Sequence, residues 1–123
     1  NRGRPFIYST APTLPAVAAA RAALRVFREE PGLRATLDRH RERLGAALGT
    51  RLDSAIGRFV LGTEERALAA AEALLCRGFL VPAIRPPTVP PGTSRLRITL
   101  SAGHTAAEVA ALCTALAGAE ELL

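Results

Sequence analysis

The sequence predicts an α+β fold: a small, mostly antiparallel sheet covered on one face by helices. Three observations carry this. Apolar residues recur at helical spacing over residues 13–48, again over 64–77, and once more after residue 105. Residues 55–61, 79–84 and 95–100 read as short strands between these helices. The resulting order is helix, helix, strand, helix, strand, strand, helix, which suits one sheet layered on helices.

Each element has its own signal. Residues 1–12 read as an extended arm, in which Pro5 and Pro12 bracket Phe6-Ile7-Tyr8-Ser9-Thr10. From Thr13 the pattern turns helical, with Pro15 in the first turn and Leu14, Val17, Ala20, Leu24 and Phe27 on one face. Pro31-Gly32 ends that helix. A second, from about residue 33 to 48, keeps Leu33, Leu37, Leu44 and Leu48 inward and turns Arg34, Asp38, Arg41 and Glu42 to water, with Gly49 as its stop. Gly62-Thr63 leads into a third helix with an apolar stripe of Leu68, Ala71, Leu74 and Leu75, and Gly78 stops it. Thr105-Ala106-Ala107-Glu108 has the form of a capping box, and the last helix sends Val109, Leu112, Cys113 and Leu116 to the core. The arm (1–12), the helical segment (13–50) and the α+β part (51–123) are the expected divisions.

Composition narrows the function. With 123 residues and 49% of them apolar, the chain can bury one core. No apolar run approaches the roughly 20 residues of a membrane span, so a soluble chain with no membrane partner is expected. It opens at Asn1-Arg2-Gly3-Arg4-Pro5 and has no methionine, so no targeting segment is read and a piece of something longer is expected. All 16 basic residues are arginine. Without lysine the chain cannot form a Schiff base by itself. The net charge of +5 is spread through helices and interleaved with Glu and Asp, which argues against nucleic acid. Cys76 and Cys113 lack a Cys-x-x-Cys spacing and read as buried small apolar residues of a reducing, cytoplasmic setting.

The chemistry concentrates between residues 83 and 105. Pro86, Pro87, Pro90 and Pro91 stiffen a loop that feeds the strand Arg95-Leu96-Arg97-Ile98-Thr99. Period-two geometry sends Arg95, Arg97 and Thr99 to one face and Leu96, Ile98 and Leu100 to the other. Two guanidiniums on one face read either as a solvated strand surface or as a bidentate carboxylate site. Thr88, Thr93 and Ser94 read as substrate donors or as turn hydroxyls. Ser9 and Thr10 read as phosphate ligands or as the entry to the first helix. His104 next to the cap reads as locally structural, and His40 on its charged helix as solvated. No His and Cys residues have metal spacing, and no Gly-x-Ser-x-Gly or phosphate-cradling glycine loop is present. Taken alone, the chain lacks a nucleophile and a base.

Ile84-Arg85-Pro86-Pro87-Thr88-Val89-Pro90, Arg95-Leu96-Arg97-Ile98-Thr99-Leu100-Ser101-Ala102 and His104-Thr105 together resemble the C-terminal segment of the pyridoxal-phosphate-dependent α-oxoamine synthases, in their oxononanoate-forming branch. Arg4-Pro5-Phe6-Ile7-Tyr8-Ser9-Thr10-Ala11 resembles the segment that follows the cofactor-binding region there. The resemblance implies an aminotransferase-like fold and a decarboxylative condensation of L-alanine with a pimeloyl thioester in biotin synthesis. Pyridoxal 5'-phosphate would be the electron sink. Arg97 would hold the amino-acid carboxylate, Thr88 would contact substrate near the entrance, and Ser9 and Thr10 would reach the cofactor phosphate across the interface of a homodimer. The lysine that binds the cofactor, the residue stacked on its ring and the aspartate at its pyridine nitrogen belong to a large domain absent from this chain, so the segment alone is expected to be inactive. Two places depart from the family pattern. Ala55-Ile56-Gly57-Arg58-Phe59 stands where a more apolar central strand is expected, and Ala11-Pro12-Thr13-Leu14-Pro15 spaces its prolines unusually.

Other readings compete. A glycine C-acetyltransferase or another oxoamine synthase would share Arg97 and the fold. A non-catalytic, arginine-rich module would instead present a contiguous basic face and bind with a steep salt dependence. A purely structural or dimerising lobe is the third possibility.

Overall fold

The computed structural model describes residues 11–120, so the arm containing Ser9 and Thr10 lies outside the described residues. The chain divides into two units, Asn1–Leu33 and Arg34–Leu123. In the first, helix α1 (Leu14–Glu29) starts after Thr13 with proline in its opening positions, where a missing N–H costs nothing. Its expected apolar stripe exists, yet no residue of α1 is buried, and Leu14 and Phe27 are 84% and 54% exposed. Pro31, expected only to end α1, also opens α2 (Pro31–Ala47), because the same missing donor that stops one helix suits the first turn of the next.

In the second unit, α2 buries Leu44 fully, with Leu37 and Leu48 packed against the core. Leu33, expected inward, is exposed. The helix closes with a Schellman motif: Thr50 N–H donates to the Gly45 carbonyl at 2.9 Å, Gly49 N–H to that of Ala46, and Gly49 takes φ 63°. Gly45 is required too, since a Cβ there would stand 2.7 Å from the Thr50 carbonyl oxygen.

The sheet consists of β1 (Ile56–Gly62), β2 (Ala83–Ile84) and β3 (Ser94–Thr99), in the order β1-β3-β2 with both pairings antiparallel. Helices α3 (Glu64–Cys76) and α4 (Ala106–Glu120) complete the α+β fold. Strand β2 is shorter than the expected span of 79–84 for two reasons. Phe79 N–H is tied back to the Leu74 carbonyl by a second Schellman motif at Gly78, φ 87°. Pro82 has no N–H to give a ladder and only accepts, from Arg97 N–H at 3.0 Å.

Helix α3 packs on β3 and α4 through Ala67, Ala70 and Leu74. The expected stripe is therefore offset: Leu74 is buried, but Leu68 and Leu75 are exposed. Ala67 and Ala70 share the inner face with Leu74, whereas Leu68 and Leu75 turn outward. Helix α4 buries Val109, Leu112 and Leu116 as expected. The cysteines depart from expectation. Cys76 is exposed at the end of α3 and Cys113 half-buried, both as free thiols, with burial pushing the Cys113 thiol up. His40 departs as well: only 5% exposed, its Nε2 donates to the His104 carbonyl at 2.8 Å and ties α2 to the turn before α4.

That turn ends in the capping box read from the sequence. Glu108 N–H donates to Thr105 Oγ1 at 3.2 Å, and Glu108 Oε2 accepts from Thr105 N–H at 2.7 Å and from its hydroxyl at 2.9 Å. The Thr105 N–H, and secondarily its hydroxyl, hold the Glu108 carboxyl below its ordinary value of 4.5. A group depressed in the folded state adds stability above its ordinary value and loses it as pH falls through the folded one. Glu108→Gln should therefore lower the urea midpoint at about pH 7, and by less once the pH is well below 4.5. An equal loss at both would show that the charge of Glu108 contributes nothing.

Candidate functional site

The open face of the sheet carries the arginines. Along β3, Ser94, Leu96 and Ile98 are buried while Arg97 and Thr99 are exposed and Arg95 is half-buried, the alternation read from the sequence. Along β1, Ile56, Arg58 and Val60 take the exposed face, and Gly57 and Leu61 are buried. Leu96 and Ile98 anchor β3 from beneath, so a rigid strand presents Arg97.

The three ion pairs among the described residues join Arg41 with Asp38, Arg51 with Asp53, and Arg85 with Glu64. Arg97 belongs to none, and its side chain makes no hydrogen bond among the described residues. Its guanidinium is thus uncommitted, with five donors in a planar fork that matches a carboxylate. Arg95 is partly committed, since its Nε donates to the Thr93 carbonyl at 2.9 Å. Arg85 pairs with Glu64 and fastens the proline loop to the start of α3. Both partners are about half exposed, so the pair adds at most about 1 kcal/mol.

The loop separates the hydroxyls that the sequence left equivalent. Thr93 does turn duty, its Oγ1 donating to the Pro90 carbonyl at 2.7 Å. Ser94 opens β3 on the core face, and its buried Oγ has no hydrogen-bond partner. Thr88 sits exposed in a turn closed by its own N–H on the Arg85 carbonyl at 3.0 Å, after the cis Pro86–Pro87 bond. Its hydroxyl makes no hydrogen bond among the described residues and is free to donate outward. His104 is structural, its Nδ1 accepting from Ser101 N–H at 3.1 Å.

One residue escaped sequence reasoning. The β1–β3 register sets Arg58 directly opposite Arg97. Its only linear signal was an arginine within an otherwise apolar strand.

A cleft of about 330 Å³ is lined by Phe79, Val81, Ile98, Leu100, His104 and Leu112 among others. Thr99 also lines it, and Arg97 does not. Among the described residues, no group of His, Cys, Asp and Glu could hold a metal ion, and no helix is long and apolar enough to cross a membrane.

Comparison with known proteins matches residues 1–116 to the family described as aminotransferase class I and II. The chain is 54% identical to an 8-amino-7-oxononanoate synthase of Anaeromyxobacter dehalogenans over 95% of its own length and 31% of that protein's. It is 47% identical to the 8-amino-7-oxononanoate synthase of Arabidopsis thaliana over 94% of its length and 24% of the relative's. The chain thus spans about a third or less of the curated relatives it matches. In structure it resembles serine palmitoyltransferase from S. paucimobilis, solved with bound PLP, with a TM-score of 0.84 and 28% identity over 97% of this chain and 32% of that one. It also shares its fold with the 8-amino-7-oxononanoate synthase of Francisella tularensis, with a TM-score of 0.68 and 22% identity over 98% of this chain and 37% of that one.

Proposed function

For a chain that belongs to the aminotransferase class I and II family, we propose the role of the C-terminal part of an 8-amino-7-oxononanoate synthase. The complete protein condenses L-alanine with a pimeloyl thioester, releasing carbon dioxide and the carrier thiol, as a step toward biotin. The observation that carries this reading is the Arg97 guanidinium, held on the exposed face of a buried-backed strand with no partner among the described residues; the Thr88 hydroxyl of the preceding loop has none there either.

Arg97 grips the amino-acid carboxylate and so orients the rest of that substrate, and Thr88 donates to substrate at the entrance. Ser9 and Thr10 reach the cofactor phosphate from the arm, across a homodimer interface. Pyridoxal 5'-phosphate fits this chain as a contributor only: a sequence without lysine cannot hold it covalently, and the residues here serve the substrate's acid group. When bound, the cofactor withdraws electrons from the carbon that attacks the thioester. The similarity to a PLP-bearing serine palmitoyltransferase supports that assignment. The arm, the helical segment 13–50 and the small domain 51–123 remain divisions of the sequence, although residues 34–50 pack with the second unit, and the complete enzyme is read as cytoplasmic.

The test is an assay of the full-length protein carrying this segment. With L-alanine and pimeloyl thioester it should release carbon dioxide and free thiol in equal amounts, and glycine with acetyl thioester should be a poor pair. Preference for glycine and acetyl thioester would move the protein to the glycine C-acetyltransferases. Turnover of neither pair would remove the synthase reading.

A further inference from the structure

We propose that Arg58 is a second carboxylate-binding residue, sharing one anion with Arg97 on the open face of the sheet. That the anion is the amino acid's acid group rests on the synthase reading; the two-arginine site rests on strand register alone.

Arg58 and Arg97 are Cα partners in the antiparallel β1–β3 ladder. Arg97 N–H donates to Pro82, on the β2 side, whereas Leu100 N–H donates to Ala55, on the β1 side. Backbone groups alternate in direction along a strand, so the Arg58–Arg97 pair is of the type not hydrogen-bonded to each other. Such pairs have the closer Cα spacing, about 4.5 Å, and the closer side chains. Both side chains are on the exposed face, and neither takes part in an ion pair or hydrogen bond among the described residues.

Like charges directly opposite each other destabilise a sheet. Among the described residues no acid pairs with either of them, and Arg95, opposite Val60, adds a third positive charge to the same face. Ile56 and Val60 flank Arg58 on that face, and all three are exposed. An anion set between two guanidiniums relieves the repulsion and gains charge-assisted hydrogen bonds from both. Arg58 thus turns a one-arginine grip into a clamp.

The experiment measures the thermal midpoint of the full-length protein against sodium acetate, with sodium chloride at matched ionic strength as the control. Acetate should raise the parent's midpoint saturably, beyond chloride. In Arg58→Gln the midpoint without acetate should equal or exceed the parent's, because repulsion is removed, and the apparent acetate affinity should fall about tenfold. Arg97→Gln should weaken the response similarly, and the double variant no further than its parts together. Arg58→Lys, which keeps the charge and loses the fork, should recover only part of it. An Arg58→Gln protein with the parent's acetate response overturns the proposal, as does a parent that responds to acetate and chloride alike. If Arg58→Gln fails to fold, the proposal is overturned, because Arg58 is then structural. A protein that shows the acetate response but does not condense alanine loses the synthase reading and keeps the clamp; an active synthase indifferent to Arg58 loses the clamp alone.

Discussion

In the full-length protein, Arg97→Ala should raise the KM for L-alanine about a hundredfold and leave the KM for the pimeloyl thioester close to the parent value. The magnitude follows from two charge-assisted hydrogen bonds between a guanidinium fork and a carboxylate, each contributing about 1.5 kcal/mol or more. Nothing within the described residues competes for Arg97, so the loss falls on the ligand and not on an internal contact. Arg97→Lys should restore only part of the affinity, because an ammonium is a point charge without the planar fork. Stability should change little, since Arg97 is exposed. Steady-state kinetics with each substrate varied in turn checks this. An unchanged alanine KM in Arg97→Ala would remove the carboxylate assignment.

Leu96→Ala should be among the most damaging single substitutions for the fold, at about 2–5 kcal/mol. Leu96 is fully buried on the central strand, between Phe59 of β1 and Ala83 of β2. Truncation removes its transfer energy and leaves a cavity that a strand pinned on both edges cannot collapse to fill. The same strand carries Arg97 one residue further along, so the variant should also raise the alanine KM while the parent strand geometry is loosened. Urea denaturation of parent and variant measures the first effect. A loss below about 1 kcal/mol would mean that the site repacks freely and that β3 is not rigid from beneath.

Much of the fold was legible in linear order. Helix ends followed from Gly49, Gly78 and Thr105, because a left-handed glycine or a capping hydroxyl acts within a few residues of itself. The alternation of Arg95 and Arg97 against Leu96 and Ile98 followed from the pleat alone. What misled was burial by periodicity. Leu68 and Leu75 have the right spacing for a core stripe, but Ala67 and Ala70 occupy the inner face with Leu74. His40 sits among charged neighbours in sequence, yet its helix brings it to a carbonyl 64 residues away. The hydroxyls could not be ranked beforehand either, since only burial and the Pro90 carbonyl that Thr93 meets tell Thr88, Thr93 and Ser94 apart.

By itself, the sequence determined the order of elements, their caps, the strand's two faces and the absence of any lysine that could carry a Schiff base. These are local or compositional properties that need no knowledge of distant contacts. Only the tertiary structure decided that, among the described residues, Arg97 meets no internal partner and the Thr88 hydroxyl none either, and that Arg58 stands across from Arg97. The reason is physical: pairing register and burial are set by contacts between segments tens of residues apart, and a one-residue slip would have turned each arginine to the opposite face.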